Sequence, residues 1–337
     1  MILLHFAGGG NSNPLNTRVW GSHDSAVKKF AFTMAELLIA MTIIAVLAVL
    51  IIPTIHDKIS KKQWVLHKKA LYSRMTQAIA MMPSVKSFGE YTINVDENGS
   101  STVTDTAAMA FVTEGLSKVY KINNICNNTE FKKCGIPDKI FTYDNRDINF
   151  PKTMRDLVTD SYAKNNLINS EAVAYETANG ESVVVFYNPN CVAFGKATSG
   201  SPLPTLCADF IYDLNGTAAP NRVGQDIGAF SLVLRDGSEL LPVNTNQLYI
   251  PGTNNNTYVA HMPDKCREKG LRMVNYDELN ALFFNSALLF QSIPSGGMVS
   301  SDFISKGSSY WHAYGLTRYG DRADLWYNNA STFCVKP

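Results

Sequence analysis

Between Lys28-Lys29 and Pro53 the chain runs almost without a polar side chain. Residues 30–52 hold a single charge, Glu36, and two threonines among Ala, Ile, Leu, Val, Met and Phe. A helix needs about 20 apolar residues to cross a bilayer, and this stretch has that length. A carboxylate inside such a run is costly unless something answers it, so Glu36 reads as a functional residue. Ala35, Ala40, Ala45 and Ala48 leave room for a second helix to come close. A secretory signal has a shorter apolar core followed by a small-residue cleavage site, whereas this run continues through Pro53.

The pattern beyond Pro53 stays helical. Trp64, Leu71, Met75, Ile79 and Met82 fall on one face at helical spacing. Lys61, Lys62, Lys68, Lys69 and Arg74 cover the rest, and Pro83 ends the run. Glu36 to Met82 amounts to about 70 Å of helix at 1.5 Å per residue. A basic amphipathic helix can lie on a membrane; the expectation here is burial of its apolar stripe against the chain's own globular part.

Length leaves room for about two domains. The 337 residues are 45% hydrophobic and 18% charged, which is ordinary globular material. A net charge of +1 gives no footprint for nucleic acid, so no nucleic-acid partner is expected. Cys126, Cys134, Cys191, Cys207, Cys266 and Cys334 admit 15 pairings. Their spacing suggests sequential pairs, with two short loops and one long one, formed in an oxidising compartment. No Cys-x-x-Cys occurs and the six histidines are scattered, so no zinc site is expected. More basic residues follow the apolar run than precede it, which by the positive-inside rule places the C-terminal side in the cytoplasm. The cysteines point to the opposite orientation.

The stretch 28–53 resembles the N-terminus of type IV pilins and type II secretion pseudopilins. That family carries a basic leader, a cut before an aromatic residue and a Glu five residues into the mature chain. Lys28 and Lys29 match the basic residues, Ala31–Phe32 the scissile bond, and Glu36 the fifth mature residue. Pro53 matches the helix-bending proline of the family. Ala31 stands where the family usually has Gly, and the leader of 31 residues is longer than most. The resemblance implies processing and N-methylation at Phe32 by a prepilin peptidase, with Glu36 and Pro53 serving assembly. It also implies other pilin or pseudopilin subunits as partners. The implied location is the inner (cytoplasmic) membrane, single-pass with the C-terminal part outside the cytoplasm. After assembly it is a periplasmic or cell-surface filament.

Downstream, residues 113–119 and 154–165 read as helices. Residues 182–187, 210–212 and 229–234 read as strands, rich in β-branched and aromatic side chains. Helix followed by antiparallel strands suits an α+β head. Between two of those strands, Asp213-Leu-Asn-Gly-Thr-Ala-Ala-Pro-Asn-Arg-Val-Gly-Gln-Asp226 resembles a loop found in pilin-like proteins. Asp213, Asn215, Asn221 and Asp226 offer oxygens of the kind calcium takes, six to eight at a time. A tight Asx-rich turn without an ion accounts for the same residues. Calcium is the one cofactor the sequence raises.

Residues 264–337 resemble the bacterial C-type-lectin-like modules through Cys266, Gly270, Arg272, Glu278, Leu279 and Cys334. The resemblance implies a Cys266–Cys334 bond, and a carbohydrate or protein ligand on a face bearing Trp311, Tyr314 and Trp326. Leu271 and Val274-Asn275 depart from that pattern. The polar turn at 251–257 is the expected boundary before it.

The organisation expected is a leader at 1–31, a helix at 32–82 with its membrane span at 32–52, a pilin-like domain at 83–250 and a lectin-like module at 258–337. The fold class is α+β with an antiparallel sheet. Ser308-Ser309, His312 and Asp321 lack a nucleophile elbow, and no enzyme is expected. The chain reads as a minor subunit of a pilus or secretion pseudopilus. The alternative is a membrane-anchored surface adhesin that binds through its C-terminal module.

Overall fold

The structure is a computed structural model. It describes residues 33–337 except 89–90, 92–93, 96–100, 103–106, 168–169, 192–204, 236, 244–246, 251–260, 290–297, 307–310, 317–321 and 326–330. For 48–61, 247–250, 303–306, 311–316, 322–325 and a few others it describes the backbone alone. The chain forms two compact units, Met1–Asp57 and Lys58–Pro337. The expected boundary at 251–257 lies outside the described residues.

The long helix of the sequence pattern is α1, Met34–Met81. Its described apolar side chains in the first unit, at positions 34–47, are exposed on every side, Met34 at 80%, Leu38 at 61% and Ile44 at 64%. Among the described residues no helix is long and apolar enough to cross a membrane.

In the second unit α1 behaves as its stripe predicts. Leu71, Met75, Ala78 and Ile79 are buried, and Lys62 and Lys69 face solvent. Pro83 lies in a 3-10 turn, Met82–Ser84, that closes the helix. The partner of the stripe is a six-stranded antiparallel sheet. Its strands are β1 (Ile122–Cys126), β2 (Val173–Thr177), β3 (Ser182–Tyr187), β4 (Leu206–Asp213), β5 (Ile227–Leu234) and β6 (Ser238–Pro242). Their order is sequential, β6-β5-β4-β3-β2-β1, a meander in which every neighbour is antiparallel. The expected strands at 182–187, 210–212 and 229–234 all lie in it.

Strands β3 and β4 are buried along their whole length, so both faces of the sheet are covered. Side-chain alternation sorts them. Tyr175, Val183, Val185, Tyr187, Phe210, Tyr212, Phe230 and Leu232 join the α1 core. Ala174, Val184, Phe186, Ile211 and Ala229 join a second core on the opposite face. One glycine is required by close approach. Gly228 pairs with Tyr212 across β4–β5, and a Cβ there would stand 2.2 Å from the Tyr212 hydroxyl.

The expected helix at 113–119 is part of a longer one: α2 (Ala107–Ala110), a π-helical stretch Phe111–Leu116, and α3 (Ser117–Val119). The expected helix at 154–165 is two pieces, a 3-10 turn Met154–Leu157 and α4 (Ser161–Asn166). Tertiary contacts interrupt it. Val158 is buried in extended conformation, and the Thr159 amide donates to Ser286 Oγ at 3.1 Å.

The C-terminal part adds α5 (Met262–Arg267) and α6 (Tyr276–Phe284). It also adds two three-stranded sheets. One contains β7 (Gln247–Ile250), β8 (Arg272–Met273) and β12 (Thr332–Val335), with β12 central. The other contains β9 (Met298–Lys306), β10 (Trp311–Leu316) and β11 (Arg322–Leu325). Tyr276, Leu279, Leu282, Phe283 and Phe333 belong to the same apolar cluster as the second face of the six-stranded sheet. The whole is α+β with antiparallel sheets, as the pattern of elements predicts.

Candidate functional site

Two places gather the chemistry that the sequence singles out: the start of α1 and the loop between β4 and β5. At the first, Thr33 caps the helix. The Thr33 amide and hydroxyl each donate to Glu36 Oε2 at 2.9 Å, and the Glu36 amide donates to Thr33 Oγ1 at 3.2 Å. This is a reciprocal capping box, which satisfies two orphan groups of the first turn. Only one oxygen of the carboxylate makes these contacts, and the side chain is exposed. Around it the described positions up to 47 are apolar except Thr42, whose hydroxyl donates to its own helix at Ile39 O, 2.8 Å. A helix apolar all round is the kind that ends up covered by other helices or lipid. Ala31 and Phe32 lie outside the described residues, and Pro53 lies within α1 with its side chain not described.

The second place closes the β4–β5 hairpin. Asp213 stands opposite Ile227, and the Leu214 amide donates to Asp226 O at 3.1 Å. The loop also docks sideways, because Phe141 N donates to Asn221 O and Val223 N to Phe141 O, both at 2.9 Å. Asp213 and Asp226 are fully buried. Asp226 accepts from the Asn221 and Arg222 amides at 2.8 Å each. Asp213 Oδ1 accepts from the Asn215 amide at 3.0 Å. Burial first, and then the neighbouring Asp226 charge, push the Asp213 carboxyl up to about 8 against the pull of its backbone donors. Lys68 donates to Gly224 O at 3.0 Å; burial lowers its ammonium pKa and the Asp226 charge partly restores it. Asn215 thus contacts Asp213 and Asn221 contacts Asp226, in a loop whose two aspartates are buried while residues 217–219 face solvent.

The disulfides are Cys126–Cys134, Cys191–Cys207 and Cys266–Cys334, the sequential pairing that the spacing suggests. Arg272 pairs with Glu278 through both carboxylate oxygens, at 2.7 and 2.5 Å, tying β8 to α6. Glu278 also completes a capping box with Asn275, at 2.8 and 2.9 Å. Trp311 and Tyr314 lie on β10, where the backbone alone is described, and Trp326 lies outside the described residues.

Sequence reasoning missed a polar seam on the second face of the six-stranded sheet. Asp209 is fully buried and accepts from Ser231 Oγ at 2.5 Å and Asn285 Nδ2 at 3.0 Å. Its Oδ2 has no donor among the described residues, and the same holds for Asn285 Oδ1 and Asn280 Oδ1. Burial pushes the Asp209 carboxyl up to about 7, against both hydrogen bonds. Beside it, Arg235 bridges Asp277 at 2.6 Å and Asp302 at 2.7 Å. Thr205 donates to Asp277 Oδ1, and Asn280 Nδ2 to Thr205 Oγ1, each at 3.2 Å. The signal was available: Asp209 is the one charge between Leu206 and Tyr212, as Glu36 is in its own apolar run.

No protein-family model matches this chain, and no curated protein or solved structure is similar to it.

Proposed function

We propose that the chain is a minor structural subunit of a type IV pilus or type II secretion pseudopilus. It is cut at Ala31–Phe32 by a prepilin peptidase and assembled through its N-terminal helix. The observation that carries this reading is the surface of α1. Its described positions 34–47 expose apolar side chains on all sides around one carboxylate, Glu36. In water such a surface is unfavourable by about 25 cal/mol per Å². Lipid before assembly, and neighbouring helices after it, would remove it from water. The three disulfides fit an extracytoplasmic location for the rest of the chain.

In this mechanism Glu36 does two things. Towards its own helix it closes the Thr33 cap. Towards a neighbour, its free oxygen accepts from the amine that cleavage creates at Phe32, a group protonated at neutral pH. In a low-dielectric bundle each charge alone would be heavily penalised, so the pair sets the register between identical helices. Repeating one such contact head to tail gives an open filament.

Two substitutions separate these roles. Glu36→Ala loses both, while Glu36→Gln keeps a cap acceptor and loses the charge. Both are expected to insert into the membrane normally and to be missing from sheared filaments. Full incorporation of Glu36→Gln would reduce Glu36 to a helix cap and overturn the proposal. N-terminal sequencing of the mature chain should give N-methyl-phenylalanine at Phe32; an uncut Met1 would count against the reading as a whole.

A further inference from the structure

The loop that the Cys126–Cys134 disulfide closes forms one wall of a cavity of about 940 Å³. The hairpin of Lys139–Phe141 with Asp147–Asn149 and the 3-10 turn Met154–Leu157 contribute to the others. Its apolar lining includes Phe131, Ile148, Phe150, Pro151 and Val158, all buried except the half-buried Ile148. Two carboxylates line it, and both are answered. Asp138 pairs with Lys132 at 2.5 Å, and Asp156 accepts from the Lys152 and Thr153 amides at 3.1 and 2.9 Å. The remaining cations are not answered in the same measure. Among the described residues the Lys152 and Lys164 ammonium groups have no acceptor. Arg146 holds Asp144 through Nε alone, at 3.0 and 2.8 Å, so its two terminal nitrogens have none there either. Asn128, 9% exposed in the same lining, has a carboxamide without a partner among the described residues.

We infer that this cavity binds a small organic acid with an apolar body, its carboxylate held by Lys152, Lys164 and Arg146. Each part of the lining excludes a different ligand. A bare inorganic anion answers the lysines and leaves the apolar lining wet. A neutral apolar molecule covers that lining and leaves the cations unused. A cation meets positive charge that nothing in the wall offsets. The volume falls within the roughly 300–1,000 Å³ of small-molecule sites, which are mostly apolar with a few polar groups that fix orientation. A lysine offers the carboxylate a point charge and an arginine offers it a fork of donors. The Asn128 carboxamide both donates and accepts, so it suits a hydroxyl or amide on the body of the ligand. The disulfide restrains the loop that carries Asn128 and Phe131, which lowers the cost of ordering the site. No residue of the N-terminal helix lines the cavity, so ligand binding and filament incorporation can fail separately.

The test is titration calorimetry on the full chain purified in detergent, with 3-phenylpropionate as the probe. Binding should be saturable, one molecule per chain, and should weaken as added salt screens the lysines. The neutral analogue 3-phenylpropanol and inorganic phosphate should each bind about tenfold or more weakly, the scale of losing a charge-assisted contact or the apolar body. Lys152→Ala combined with Lys164→Ala should keep the wild-type melting temperature, since neither ammonium holds another described group. The same double variant should lose about tenfold or more in affinity, and it serves as the blank for partition of the probe into micelles. Asn128→Asp, which puts a carboxylate into the lining, should weaken the acid and spare the alcohol. Equal binding of acid and alcohol would overturn the inference, as would equal binding of phosphate. So would an affinity unchanged in the double variant, or no saturable binding of the acid at millimolar concentration.

Discussion

The two faces of the six-stranded sheet come from the same strands but are built differently. The face towards α1 is closed by aliphatic and aromatic side chains, with Phe111 stacked on Tyr187 and Tyr212 on Phe230. Its one described ion pair with the helix, Arg74–Glu181, sits by the β2–β3 turn, where the arginine stays partly exposed. The face towards α6 mixes its apolar core with the Asp209–Ser231–Asn285 group and the Arg235 bridge. An apolar face needs only shape and area, and it tolerates small shifts of the helix on the sheet. A polar seam is satisfied in one arrangement and penalised in others. It therefore narrows how α6 can seat on the sheet, and the raised Asp209 carboxyl gives stability an expected pH dependence.

The difference can be broken at several points. Arg235→Ala should have the largest effect, because it strands Asp277, only 2% exposed, as an unpaired buried charge. A loss of about 3–5 kcal/mol is expected in denaturant melts, and Asp277→Asn in the same chain should recover part of it.

Asp209→Asn comes next, and its sign reverses the usual expectation for a carboxylate. Folding raises this carboxyl from 3.8 to about 7. Between those values the folded state holds a proton that the unfolded chain has released. The wild type is therefore favoured below about pH 4, loses stability as pH rises through the window, and levels off above pH 7. Three units correspond to about 4 kcal/mol at most. Relative to wild type, Asp209→Asn should be unchanged near pH 4 and more stable near pH 8. A difference flat across that range would remove the pH link from the comparison.

Leu71→Ala probes the apolar face. It deletes a fully buried side chain and should cost about 2–4 kcal/mol, with no pH dependence of its own. The smallest effect is expected at Ile43→Ala. Ile43 is 54% exposed, so the melt of the isolated chain should move by no more than about 0.5 kcal/mol. Any consequence should fall on filament incorporation instead.

Much of the fold could be read from residue order because it rests on local periodicity. The stripe Leu71, Met75, Ile79 and Met82 could bury only on one side of a helix, and it does. The run Ser182–Tyr187 could hardly be anything but a strand. The cap at Thr33 is a three-residue spacing, and the loop 213–226 announces itself by its Asp, Asn and Gly content. The failures share another cause. The break at residues 158–160 follows from the burial of Val158 and from Ser286, more than 120 positions away. Local pattern cannot anticipate a partner at that distance.

The sequence alone determined the apolar length around Glu36, the amphipathic half of α1, three of the six strands of the meander and the pairing suggested by cysteine spacing. These depend on neighbours a few residues apart, or on chain chemistry that needs no partner. Tertiary structure decided which oxygens of Asp209 and Asp213 go without a donor, and that Arg235 answers Asp277 and Asp302. It also placed the α6 core and the second face of the sheet in one cluster. Burial creates those costs, and burial exists only once distant segments have packed. The apolar run at 30–52 thus begins as a membrane-length stretch with one charge; the structure adds that the charge is already engaged, through one oxygen, in capping its own helix.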